Sequence, residues 1–78
     1  MDAWRVTAFW DEEAKVWVAE SDEVPGLATE ALTLETLVEK LKIMIPELLD
    51  LNGVVYEGDE VRFEVASRIT ATAPRRAA

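Results

Sequence analysis

The sequence predicts an α+β fold, a single β-β-β-α-β domain with one helix on one face of a sheet. Three observations predict it. Apolar residues alternate with polar ones at the two ends of the chain, as in half-buried strands. Between them, apolar residues recur at helical spacing from Leu34 to Leu49. A Pro25-Gly26 pair and Thr33 mark a turn and a helix start just before that helix. Seventy-eight residues make one domain with a thin margin of stability. We place the domain at residues 1–70 and an Ala-rich tail, expected to fray, at 71–78.

In the first strand, residues 4–10, Trp4, Val6, Ala8 and Trp10 alternate with Arg5, Thr7 and Phe9. Residues 11–15 form a polar loop of hairpin length, and residues 16–21 the second strand. Pro25 and Gly26 suit the central positions of a type II turn over Val24–Leu27, since proline pre-sets φ and glycine accepts a positive one. Residues 27–31 are then a short third strand. Thr33 is a good N-cap, and Glu35 puts negative charge in the first helical turn. Leu34, Leu37, Val38, Leu41, Ile45, Leu48 and Leu49 form one apolar helix face. Pro46 lies inside this pattern and predicts a kink, or a break and restart, near Ile43–Ile45. Asn52-Gly53 stops the helix. Residues 53–60 read as an irregular connection with room for a brief strand. Residues 61–70 read as the last strand, with Val61, Phe63, Val65 and Ile69 inward and Arg62, Glu64 and Arg68 outward.

One helix covers one face of such a sheet and leaves the other bare. With Trp10 opposite Val16 in the hairpin, Phe9 stands opposite Trp17. Ala8, Trp10, Val16 and Val18 then share one face, and Phe9, Trp17 and Ala19 the other. That register gives the helix-free face an aromatic patch, and Phe9, Trp17 and Ala19 become candidates for self-association into a homodimer or higher oligomer. A one-residue slip would exchange these sets.

Composition removes several functions. There is no Cys, so there is no disulfide, thiolate metal site or thiol nucleophile. There is no His, the commonest general base. Gly26, Gly53 and Gly58 are isolated, so no phosphate-cradling loop exists. No catalytic residue, cofactor or metal is assigned. A degenerate metal-dependent nuclease would need Asp11 with Glu64. No basic leader precedes an apolar run and no apolar stretch approaches a membrane span, so a cytoplasmic protein without membrane contact is expected. A net charge of −8 opposes non-specific nucleic-acid binding and suits either plain solubility or a basic partner. The acidic groups Asp11, Glu12 and Glu13 at the hairpin, and Asp22 and Glu23 after the second strand, are the candidate partner-binding residues.

The stretch from Ser21 to Leu37 resembles the HicB-like antitoxin domain family. Asp22, Pro25 and Gly26 match its Asp-x-Pro-Gly turn region, and Thr33, Leu34 and Glu35 its helix start. The hairpin "WDEEAKVWVAES" and the "MIPELLDLNG" helix end are similar to a small uncharacterised subgroup of that family. The resemblance covers residues 4–70. It implies a partial ribonuclease-H-like sheet of order 3-2-1-4 with one helix, no catalysis, self-association, and a partner in a small basic HicA-type toxin that cleaves RNA. Many HicB proteins carry a C-terminal DNA-binding module. This chain stops soon after its last strand, so direct DNA binding is not expected. The alternative is an orphan HicB-like oligomer with a structural or assembly role and no toxin.

Overall fold

Strand β1 (Trp4–Asp11) forms a hairpin with β2 (Val16–Glu20), followed by β3 (Ala28–Ala31), helix α1 (Leu34–Leu51) and β4 (Phe63–Arg68), in a computed structural model describing residues 3–77. The sheet order is β3-β2-β1-β4. Strand β1 is antiparallel to β2 and parallel to β4, and β3 is antiparallel to β2. The predicted β-β-β-α-β order and single helix are both present.

Local chemistry sets the joints. Leu27 N–H donates to the Val24 carbonyl at 3.3 Å, and Gly26 sits at φ 77°, the positive value a type II turn needs. Thr33 caps α1 by accepting from Thr36 N–H at 3.1 Å. At the other end, Gly53 (φ 66°) donates to the Asp50 carbonyl and Val54 N–H to the Leu49 carbonyl at 2.9 Å, a Schellman closure. Of the kink or break expected near Ile43–Ile45, the break does not occur: α1 runs through Pro46 to Leu51. The proline takes away only the hydrogen bond that the Lys42 carbonyl would have received, and Ile45 and Leu49 on either side are fully buried.

Leu37, Leu41, Ile45 and Leu49 are fully buried against Val6, Ala8, Ala19 and Ala31, with Val24 and Leu27 closing one end. Three of the four sheet positions are alanine, so large helix side chains meet small sheet ones and the helix seats closely. Each leucine or isoleucine withdrawn from water this way contributes about 1.5–3 kcal/mol. Helix α1 lies over β2 and β3, and its approach to the β4 side is slight.

Two further expectations are corrected. The hairpin pairs Trp10 with Trp17 and Phe9 with Val18, one residue away from the expected register. Trp17 and Ala19 therefore stand on the helix side with Trp10 and Ala8, and Ala19 is fully buried. Phe9 alone of the three self-association candidates stays on the helix-free face, flanked by Val18 and Arg68. The cause is the loop. Asp11 belongs to β1, and its carboxylate accepts from Glu13 N–H and Ala14 N–H at 3.0 Å, tightening the turn to residues 12–15. Lys15, at φ 59°, completes it. The second correction is β4, which ends at Arg68, leaving Ile69 outside the strand and 59% exposed. Residues 53–60 contain no strand.

Candidate functional site

The hairpin tip holds three of the predicted partner-binding acids, and two of them also serve the turn. Asp11 builds it, as above. Glu12 accepts from Trp10 Nε1–H at 2.9 Å and pairs with Lys15 Nζ. The hydrogen bond from Lys15, then that from Trp10, holds the Glu12 carboxyl below the usual glutamate range. Trp10 also meets Trp17 edge to face, with ring centroids 5.6 Å apart and planes at 64°. Glu13 is exposed, and its carboxylate has no partner among the described residues.

The hairpin base holds the other two. Glu23 Oε1 accepts from Arg5 N–H at 2.8 Å, satisfying a backbone donor of β1 beyond the end of β2. Ser21 Oγ donates to the Arg5 carbonyl and accepts from Glu23 N–H and Val24 N–H at 3.0 and 3.1 Å. Asp22 is exposed at the edge of this knot.

The two acidic groups do not converge. They lie at opposite ends of β2, whose five residues separate them by roughly 17 Å. Asp11 and Glu64 are not brought together either. Glu64 stands beside Arg5, with Arg5 Nε 3.7 Å from its carboxylate, whereas Asp11 is six residues further along β1. Among the described residues, no group of three acidic side chains is placed to hold a metal ion, and no helix is long and apolar enough to cross a membrane.

A feature the strand pattern did not reveal lies between α1 and β4. Because α1 leans toward β3, Phe63 and Val65 of β4 and the preceding Val61 are only half-buried. They line a cleft of about 500 Å³ with Val38, Lys42, Glu60 and Arg62. At Val38 it adjoins a second hollow, of about 350 Å³, lined by Leu34, Glu35 and Glu39. The inward alternation at Val61, Phe63 and Val65 was legible. The helix's offset was not, since it depends on how the alanines of β2 and β3 accept it. A further cleft of about 580 Å³ opens between Trp4 and the loop Tyr56–Arg62. There Tyr56 Oη lies 3.4 Å from Asp50, and partial burial followed by the Asp50 charge pushes the phenol above its usual range.

No curated protein matches the chain. The crystal structure of a hypothetical protein from the extremely thermophilic bacterium Thermus thermophilus is similar, with 54% sequence identity and a TM-score of 0.69. The match covers 97% of this chain and 100% of that one. A family model described as a domain of unknown function, DUF1902, matches residues 3–76, and the chain belongs to that family.

Proposed function

We propose that this chain is a protein-binding module of the antitoxin type, a HicB-like domain that masks a small, basic, HicA-type RNA-cleaving toxin in the cytoplasm. The observation that carries the reading is the sheet order β3-β2-β1-β4 with one helix, entered through the Pro25-Gly26 turn and the Thr33 cap. That is the arrangement the resemblance implies. The surface supports it as well. All sixteen acidic residues lie at or before Glu64, so the folded body presents a strongly negative field to a basic partner. Glu13 and Asp22 are exposed. Asp11, Glu12 and Glu23 are held by their own turns, so little side-chain freedom is lost when a cation meets them.

The reading predicts a small basic protein encoded beside the gene, and the test is association kinetics with that product. Charge steering predicts an on-rate that falls steeply with salt while the off-rate changes little. A salt-independent on-rate rejects the steering, and absence of a complex rejects the reading. The second reading, an orphan self-assembling protein, is favoured by the half-covered α1–β4 cleft. It predicts no small basic product in the neighbouring reading frame.

A further inference from the structure

The last nine described residues do not belong to the folded body. Every residue from 69 to 77 is exposed and outside regular structure. The molecule measures 59 × 25 × 19 Å. Its longest element, α1 with 18 residues, spans only about 27 Å. The radius of gyration is 15.5 Å, where a compact chain of this length has about 11.5 Å. The C-terminal segment therefore projects as an arm, and nine extended residues reach about 30 Å.

The arm's sequence is not that of a passive tail. Ile69, Ala71 and Ala73 alternate with Thr70 and Thr72, so an extended backbone puts the apolar residues on one face and the threonines on the other. Pro74 ends that pattern, and Arg75-Arg76 follow. No acidic residue lies beyond Glu64, while Arg68, Arg75 and Arg76 do, so a basic arm is attached to an acidic body. The body in turn offers an apolar trough without a cover: Val38, Val61, Phe63 and Val65, continuing past Leu34 to the carboxylates of Glu35 and Glu39. Lys42 sits on that trough but is engaged by Glu39 at 2.9 Å.

We propose that the C-terminal arm of one copy docks in the α1–β4 trough of a second copy. Ile69 seats against Val61, Phe63 and Val65, and Arg75 and Arg76 reach Glu35 and Glu39 at the helix N-terminal end. The arm points away from its own body, which makes the exchange intermolecular and, when reciprocal, a closed two-fold dimer. The helix-free sheet face is not used. This proposal does not depend on the antitoxin reading, since no toxin takes part in it.

The experiment is sedimentation equilibrium on the full chain, on residues 1–68, on Ile69→Asp, and on the two charge reversals R75E/R76E and E35R/E39R, with circular dichroism as the check of folding. The full chain is expected to be a dimer. Residues 1–68 and Ile69→Asp are expected to be monomeric. Each charge reversal alone weakens the dimer about tenfold at low salt. A mixture of the two reversed chains restores it, a gain that misfolding cannot produce. A monomeric full chain overturns the proposal. So does a dimer that residues 1–68 form with unchanged affinity, which would place the interface elsewhere, the bare sheet face included.

Discussion

The hairpin register decides which aromatics face the helix, and it can be read from energetic coupling. In the structure Trp10 and Trp17 are directly opposite, with ring centroids 5.6 Å apart and edge-to-face planes. Such a pair is worth about 0.5–1.5 kcal/mol beyond the area it buries. Trp10→Leu and Trp17→Leu, singly and together, form a double-mutant cycle that isolates this term. Leucine keeps apolar bulk at both positions, and the Glu12 hydrogen bond lost with Trp10 is absent from both Trp10→Leu chains, so it cancels. The assay is urea unfolding followed by far-ultraviolet circular dichroism, because tryptophan fluorescence changes with the substitutions themselves. The expected coupling is about 1 kcal/mol, a difference of roughly 4–8 °C in melting temperature for a domain this size. A parallel cycle on Phe9 and Trp17, which lie on opposite faces, is expected to be additive within about 0.5 kcal/mol. Additivity of the Trp10–Trp17 pair together with coupling of Phe9–Trp17 would refute the register and return Trp17 to the helix-free face.

Other consequences follow from single residues. Leu41→Ala empties a fully buried site at the centre of α1 and should cost about 3–4 kcal/mol, whereas Leu51→Ala, at a position 81% exposed, should cost almost nothing in the same chemical denaturation. Thr33→Ala removes the acceptor for Thr36 N–H and should cost about 1 kcal/mol, with Thr33→Asp restoring it. Gly26→Ala meets no steric block, its added carbon lying 3.7 Å from Leu48 Cδ2, but its φ of 77° should make it about 1–2 kcal/mol less stable in thermal melts. Glu12 should titrate below an ordinary glutamate in a carboxyl-carbon NMR titration, and Lys15→Ala should move it back up. A depressed folded-state value means that the stabilisation is present above the unfolded pKa and is lost as pH falls through the folded one. The effect should fade with added salt, because the pair is solvent-exposed.

Much of the fold was legible because its signals are local. The helix is written in the spacing of Leu37, Leu41, Ile45 and Leu49, and its ends in Thr33 and Asn52-Gly53. The turn at Pro25-Gly26 needs only the φ preferences of those two residues. The hairpin register was less visible because both registers preserve the alternation of β1 and β2. What separates them is whether Asp11 is loop or strand, and its side-chain bonds to Glu13 and Ala14 make it the last strand residue. Pro46 was read as an interruption because its lost hydrogen bond is a local cost. The burial of Ile45 and Leu49 on both sides is a tertiary gain that no local rule contains. The acidic residues stand out in the sequence as two groups, but their internal duties at Arg5, Trp10 and Lys15 depend on strand ends meeting in space. The trough beside β4 depends on where the helix axis lies over the sheet, which the sequence does not spell out at any one position.

The most direct measurement of the proposed function is RNA cleavage by whatever small basic protein the neighbouring reading frame encodes, titrated with this protein, and the lack of any such cleaving product would itself contradict the proposal. Cleavage is expected to fall linearly to zero at a fixed molar ratio, with a stable complex at the endpoint, and reversing Glu13 and Asp22 to lysine is expected to raise the amount required. Undiminished cleavage in the presence of excess folded protein would contradict the proposal as well.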